Sequence, residues 1–140
     1  KSYKEALEIR RKLAQSNPQT YLPYVATTLN NLGVLQSDKN KFEDALKSYK
    51  EALEIRRKLA QANPQTYLPD VAMTLISLSI FYQKCQPDKD VSVQYAMEAL
   101  KILTPFLKGA PYTQRYAQRA LQVLQDWGVD IVKILAEKDK

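Results

Sequence analysis

Apolar residues recur at steps of three and four along nearly the whole chain, which is the spacing of one face of an α-helix. Between Lys41 and Asn63 this stripe is unbroken, so the pattern predicts one long helix there. The helix is predicted to end at Asn63-Pro64, because the residue before a proline disfavours helical backbone angles. No stretch alternates apolar and polar residues as a half-buried strand does. The pattern therefore predicts an all-α fold.

The same spacing predicts helices on both sides of that one. Pro23 and Pro69 are predicted to begin helices, since a proline at the first helical position loses no hydrogen bond. The residues before Pro69, from Gln61 onward, then form a connection. The last helix is predicted to continue through Gly128, because a glycine costs only about 1 kcal/mol inside a helix. The remaining predicted helices are approximately 2–15, 23–37, 69–84, 89–108 and 113–135.

The chain repeats itself with a period of 46 residues. Residues 1–40 and 47–86 share 27 identities in 40 positions, including 24 of the first 26. A third copy is visible only as a pattern, in which Ala99-Leu100-Lys101-Ile102 echoes Ala52-Leu53-Glu54-Ile55. A period in this range indicates a solenoid, whose units stack to bury their apolar faces.

These boundaries predict a single domain over 1–140, expected to be a fragment of a longer protein. Within it we expect a second helix and connection over 1–22, repeats over 23–68 and 69–112, and a capping helix over 113–140.

Small and aromatic residues recur at fixed positions of the repeat. The first copy contains Leu29-x2-Leu32-Gly33-x2-Gln36 followed by Ala45-x3-Tyr49, and the second contains Leu75-x2-Leu78-Ser79-x2-Tyr82. This spacing resembles the tetratricopeptide repeat signature W-x2-L-G-x2-Y followed by A-x3-F. Small residues such as Gly33 and Ser79 are expected to let the two helices of a hairpin approach closely. Tyr3, Tyr21, Tyr49 and Tyr67 recur with the repeat and are expected to pack between hairpins.

The unit is longer than the usual tetratricopeptide repeat of about 34 residues. The sequence A-L-E-I-R-R-K-L, followed by N-P and P-D-V-A, is similar to the long repeats of the kinesin light chain type. The resemblance implies an α-solenoid of antiparallel helix hairpins, wound as a right-handed superhelix, with extended second helices.

The resemblance also implies that the first helix of each hairpin lines a concave groove that binds an extended or helical peptide. The corresponding residues are Thr27, Asn30, Asn31, Val34 and Ser37 in the first copy, Met73, Ile76, Ser77, Ile80 and Lys84 in the second, and Arg119, Gln122 and Asp126 in the last helix. An asparagine amide suits this role, because it can both donate to and accept from a peptide backbone. Alternatively, Asn30 and Asn31 are only the polar face of an amphipathic helix. In the second copy, Ile76-Ser77 predicts a more apolar groove that accepts a hydrophobic anchor.

The net charge of +6 raises the possibility of a nucleic-acid partner. Basic clusters recur once per period, as Arg10-Arg11-Lys12 and Arg56-Arg57-Lys58. Glutamates one turn earlier, such as Glu8 before Lys12, favour a solvated outer face instead, because such pairs stabilise exposed helices.

The composition argues against catalysis. The chain has no histidine and a single cysteine, Cys85, so it can form neither an internal disulfide nor a His/Cys zinc site. No glycine-rich phosphate-binding loop occurs. We expect no enzyme activity, cofactor or bound metal. The absence of a long apolar run or secretion signal favours a cytoplasmic location.

The favoured function is a scaffold that binds a protein or peptide partner in its groove. Self-association through exposed repeat ends and nucleic-acid binding through basic helix faces are the alternatives.

Overall fold

A computed structural model describes residues 2–133 of the chain. Its elements are the α-helices α1 (Ser2–Ser16), α2 (Pro18–Asp38), α3 (Phe42–Ala62), α4 (Pro64–Lys84), α5 (Lys89–Leu103) and α6 (Pro111–Asp126), with a short 3-10 helix at Thr104–Phe106. No β-strand occurs between residues 2 and 133. The fold is an all-α solenoid, as the sequence predicts.

Each helix packs against the next one along the chain, and α4 also contacts α2 and α6. The first helices of the hairpins, α2, α4 and α6, therefore form one layer, and α1, α3 and α5 lie on the other side of it. The main core fills the space between α3, α4, α5 and α6, with Leu75, Leu78, Phe81, Leu103 and Leu124 almost fully buried. A smaller core joins α1, α2 and α3.

The starts of α2 and α4 differ from the prediction. Both helices begin five residues earlier, at Pro18 and Pro64, so Pro23 and Pro69 lie inside helices rather than at their starts. Asn63 separates α3 from α4, and its side chain accepts a hydrogen bond from the Thr66 N–H at 3.3 Å. This cap fixes the helix start, and the burial of Pro69 offsets the backbone hydrogen bond that a proline inside a helix loses.

The 46-residue period is consequently made of two 21-residue helices with very short connections. The turn after α2 lies between the predicted helices 23–37 and 41–63. Asn40 has a positive φ of 62°, and the Lys41 N–H bonds back to the Gln36 carbonyl at 2.8 Å. This pattern ends a helix tightly with one residue in the left-handed region. The second helix α3 is extended to 21 residues, as the resemblance implies, and the first helices α2 and α4 are equally long.

The C-terminal part departs from the prediction twice. α5 ends at Leu103 instead of continuing to residue 108, because the chain tightens into the 3-10 turn that contains Pro105. α6 ends at Asp126, so one continuous helix through Gly128 is wrong. Gly128 has a φ of +77°, and the Val129 N–H bonds to the Leu124 carbonyl at 2.9 Å. A glycine in the left-handed region with such a hydrogen bond is a common way to end an α-helix. The predicted continuation beyond residue 133 lies outside the described residues.

Gly33 allows the close approach that the sequence predicts. A Cβ at Gly33 would lie 2.6 Å from the Cε1 atom of Tyr49, so α2 and α3 touch at this point. Tyr49 is buried and meets the Phe81 ring edge-on at 6.2 Å between centroids.

The basic clusters do not form a uniform solvated face. Arg56 is only 4% exposed, which corrects the prediction for its cluster. Its guanidinium donates to the hydroxyls of Thr74 at 2.8 Å and Thr27 at 3.3 Å, so the charge lies between α3, α4 and α2. These hydrogen bonds compensate its burial.

The two lysines of these clusters form the predicted pairs with glutamates one turn earlier. Lys12 pairs with Glu8 one turn earlier, and Lys58 pairs with Glu54. Arg57 pairs with Glu98 on α5 at 2.8 Å, and Arg11 makes the equivalent pair with Glu51 on α3.

Candidate functional site

A cavity of about 370 Å³ lies between α2 and α4. Tyr49 of α3 and Arg119 of α6 complete its wall, and its full lining is Asn30, Asn31, Val34, Ser37, Asp38, Tyr49, Met73, Ile76, Ser77, Ile80, Phe81, Lys84, Cys85 and Arg119. The cavity is therefore lined mainly by first helices of the hairpins, which is where the resemblance places a binding groove.

The structure brings most of the sequence-predicted site residues together here. Every candidate on α2 and α4 lines the cavity except Thr27, and Arg119 joins them from α6. Thr27 instead donates to the Pro23 carbonyl at 3.0 Å and accepts from Arg56. Gln122 and Asp126 lie outside the lining, where the Gln122 amide donates to the Asp126 carboxylate at 2.8 Å on the exposed face of α6.

Asn30 is the most unusual polar group in this wall. Its side chain is only 2% exposed, and its Oδ1 atom is buried without a hydrogen-bond partner. The alternative that Asn30 belongs to a solvated polar face is therefore wrong. A buried acceptor without a partner costs about 1–3 kcal/mol, so a rotation of the Asn30 side chain that brought this oxygen to a ligand N–H would recover that free energy. The Ser37 hydroxyl oxygen, about two turns further along α2, is also buried and lies near the Tyr49 hydroxyl.

The opposite wall is apolar. The position one period after Asn30 is Ile76, which is almost fully buried, and Ile80 and Met73 extend the same surface of α4. Val34 faces them from α2 with 44% of its surface exposed. An exposed aliphatic side chain beside an apolar wall provides a surface for an apolar group of a ligand.

Three charged side chains lie around the cavity: Lys84, Arg119 and Asp38. Lys84 and Asp38 occupy equivalent positions of successive repeats, so the two walls carry opposite charges at this point. Burial raises the pKa of the Tyr49 hydroxyl above its ordinary value, which keeps that group neutral as a hydrogen-bond donor or acceptor at physiological pH.

Sequence reasoning missed Asp38, Tyr49, Phe81 and Cys85 in the lining. The period would have found Asp38, because it is equivalent to the predicted Lys84. Tyr49 was expected in the packing between hairpins, and both Tyr49 and Phe81 line the cavity from the core. Cys85 carried no sequence signal for a role here.

No group of three or more His, Cys, Asp or Glu side chains suited to a metal ion occurs in the part of the chain that the structure describes. None of the helices between residues 2 and 133 is long and apolar enough to cross a membrane.

Comparison with known families bears on the repeats themselves. Residues 1–58 match the family described as tetratricopeptide repeat. Over these residues the chain is similar to the tetratricopeptide repeat family. The match covers α1, α2 and most of α3, and the near-identity of residues 47–72 to residues 1–26 carries the repeat sequence into α4.

None of the curated proteins compared with this repeat protein matches it. Tetratricopeptide repeats are in general protein-interaction scaffolds and are typically not enzymes. Membership of the kinesin light chain subtype stays a prediction.

Proposed function

We propose that this repeat protein is an interaction scaffold that binds a peptide segment of its partner in the cavity between α2 and α4. The observation that carries the proposal is the buried, unpaired Oδ1 atom of Asn30 beside an apolar wall. A peptide presents both complementary groups at once, because each of its residues has a backbone N–H and many carry an apolar side chain.

The bound segment would donate a backbone N–H to Asn30 and place an aliphatic or aromatic side chain against Val34 and Ile80. Asn31 is adjacent to this acceptor, and its amide would bind a second peptide group. Lys84 and Arg119 would favour an acidic residue near one end of the segment, while Asp38 would oppose one on its own side. The arrangement therefore supports an orientation for the peptide as well as binding.

The proposal is tested by selecting peptides from a random library against the purified protein and measuring their dissociation constants by fluorescence anisotropy. Asn31→Asp and Ile80→Asp should each weaken binding by about tenfold or more, because each adds a charge to the cavity wall. Gln122→Asp is the matched control, since it adds the same charge on the exposed face of α6. Circular dichroism checks that all three variants keep their helix content.

Equal affinity of the selected peptides for Ile80→Asp, Asn31→Asp and the unsubstituted protein would place binding elsewhere. Failure to select any peptide would also count against the proposal.

Nucleic-acid binding is less well supported. The basic clusters place Arg56 in the interior, and Arg11 and Arg57 are paired with Glu51 and Glu98. These three arginines are therefore not free to meet phosphates. A gel-shift assay at low salt with generic duplex DNA and RNA should show no complex.

A further inference from the structure

Met73 has two hydrogen-bond donors at its sulfur. The hydroxyl of Tyr116 on α6 donates to the Met73 Sδ atom at 3.6 Å, and the Nη1 atom of Arg56 on α3 donates to it at 3.9 Å. A thioether sulfur is only a weak acceptor, so neither contact stabilises the fold strongly by itself. The sulfur therefore joins three helices through donors that a stronger acceptor would bind more tightly.

The Met73 side chain also borders the cavity between α2 and α4. It is half-buried and extends the apolar wall beside Ile80. The two donors differ in their exposure to solvent, because Arg56 is 4% exposed whereas Tyr116 is half-buried. The sulfur lone pair that accepts from Arg56 is thus shielded by the interior. We therefore expect a small oxidant to reach the sulfur from the side of Tyr116.

Hydrogen peroxide oxidises a methionine by transferring one oxygen to a sulfur lone pair. The O–O bond breaks and an S–O bond forms, so the sulfur loses two electrons and the peroxide gains them. The proton of the transferred oxygen passes to the leaving hydroxide, which becomes water. The Tyr116 hydroxyl can donate to the leaving oxygen during this step and to the sulfoxide oxygen afterwards. The product is a polar, chiral side chain whose oxygen has a donor at hand.

We propose that Met73 is a site of reversible oxidation that regulates the cavity. Peroxide converts it into one sulfoxide epimer, whose oxygen accepts a hydrogen bond from Tyr116. The new oxygen adds a polar group to the apolar wall and weakens the binding of apolar peptide side chains, and this last step rests on the proposed function. The first repeat has a threonine, Thr27, at the equivalent position and therefore lacks the sulfur.

Met97 on α5 is a matched control within the same chain, because the chain has only two methionines. Met97 is also half-buried, but it is packed against the main core. Within residues 2–133, the hydrogen bonds that methionine sulfur accepts all lie at Met73. A comparison of the two methionines therefore separates the effect of the donors from a general sensitivity to peroxide.

The test exposes the folded Cys85→Ser variant to hydrogen peroxide, since this substitution removes the only thiol. Peptide mapping by mass spectrometry should show Met73 oxidised about threefold or more faster than Met97, whereas the two rates should be equal in urea. Each class of methionine sulfoxide reductase reduces one epimer, so one class alone should restore Met73. Tyr116→Phe should bring the two rates together and give both epimers.

The effect on binding is measured with peptides selected on the Cys85→Ser protein. Oxidation should weaken their binding by about fivefold or more, and the reductase should restore it. The affinity of Met73→Leu in the same background should not respond to peroxide. Met97→Leu is the control and should respond as fully as the protein with both methionines.

Equal oxidation rates of Met73 and Met97 in the folded protein would overturn the proposal. A mixture of both epimers at Met73, or a preference for Met73 that survives Tyr116→Phe, would overturn it as well. Oxidation of Met73 that left peptide affinity unchanged would remove its regulatory role. If no peptide can be selected, the proposed function fails, while the oxidation rates and the epimer still decide whether Met73 is the oxidation site.

Discussion

Ser79 and Ser92 exchange hydrogen bonds across the interface of α4 and α5, each hydroxyl donating to the other residue's carbonyl at 2.7 Å. Both side chains are fully buried. Ser92 also accepts from the indole N–H of Trp127 at 2.9 Å, so one hydroxyl joins three segments of the C-terminal half. Only small residues allow two helix backbones to approach this closely while their polar groups stay paired.

Ser92→Ala should lower the free energy of unfolding by about 1–3 kcal/mol, because it removes the hydroxyl that donates to the Ser79 carbonyl and leaves the half-buried Trp127 indole N–H without its partner. Urea titration followed by circular dichroism measures the loss. Trp127 is the only tryptophan, so its fluorescence reports the same contact. Ser16→Ala, on the exposed end of α1, is the matched control and should change stability by less than about 0.5 kcal/mol. An unchanged midpoint for Ser92→Ala would show that the paired hydroxyls contribute nothing.

Gly33→Ala should destabilise the protein by about 1–3 kcal/mol, although alanine favours a helix more than glycine does. The added methyl group would collide with the Tyr49 ring, which is itself packed against Phe81. Combining Gly33→Ala with Tyr49→Leu should cost less than the sum of the two single changes, because the smaller side chain relieves the collision. Additive losses in thermal denaturation would contradict the close contact.

Asn30→Leu should change stability and binding in opposite directions. The substitution removes a buried amide whose oxygen has no partner, so the melting temperature should rise. The affinity for peptides selected on the unsubstituted protein should fall, because the acceptor for their backbone N–H is gone. If Asn30→Leu were more stable and bound the peptides with unchanged affinity, Asn30 would have no role in peptide binding.

Asp70 predicts a dependence of stability on pH. Burial raises the pKa of its carboxyl, and the nearby Arg56 only partly offsets this effect. A pKa that is higher in the folded than in the unfolded state means that ionised Asp70 opposes folding, and that this cost disappears as the pH falls through the raised value. Asp70→Asn should therefore be more stable than the unsubstituted protein at pH 7, and the difference should shrink on acidification. If the stability difference between Asp70→Asn and the unsubstituted protein grew towards low pH, the pKa of Asp70 would be lowered and not raised in the folded protein.

Asn63→Ala should cost about 1 kcal/mol of stability, and Asn63→Gly only a few tenths, because Asn63 caps α4 through the Thr66 N–H. Asn17 makes the same cap on α2 with Thr20 at 3.4 Å. Its substitution should therefore have a similar effect in chemical denaturation. Equal effects of Ala and Gly at position 63 would show that the cap is not the source of the loss.

The number and order of the helices were predictable because the apolar spacing persists across each of them. The starts of α2 and α4 were not, because each segment offers two prolines that suit a first helical turn. Pro64 and Pro69 differ in what surrounds them in the folded chain: one follows the Asn63 cap and the other is buried in the solenoid. Rules that examine neighbouring residues alone do not distinguish these environments.

The end of α6 depends on tertiary packing in the same way. A single glycine is tolerated in a long helix, but Val129 and Ile131 pack against the core once the chain turns at Gly128. A straight continuation would carry these side chains away from it.

The candidate site was partly predictable, since the repeat signature indicates which helices face a groove. The burial of Asn30 was not, because a polar residue on an amphipathic helix is normally exposed. The contrast between Arg10 and Arg56 is sharper still: the local sequences are identical, and only the neighbouring helices determine which guanidinium is buried.

A single asparagine joins α3 to α4, and its backbone is held by the cap that it forms. The junction thus contains no slack in which one hairpin could turn while the next stayed still. A force applied across this junction would therefore pass into the interface of α3 and α4 and would not be absorbed in a loop. The stiffness of this part of the solenoid should be set by the packing of side chains between the two helices.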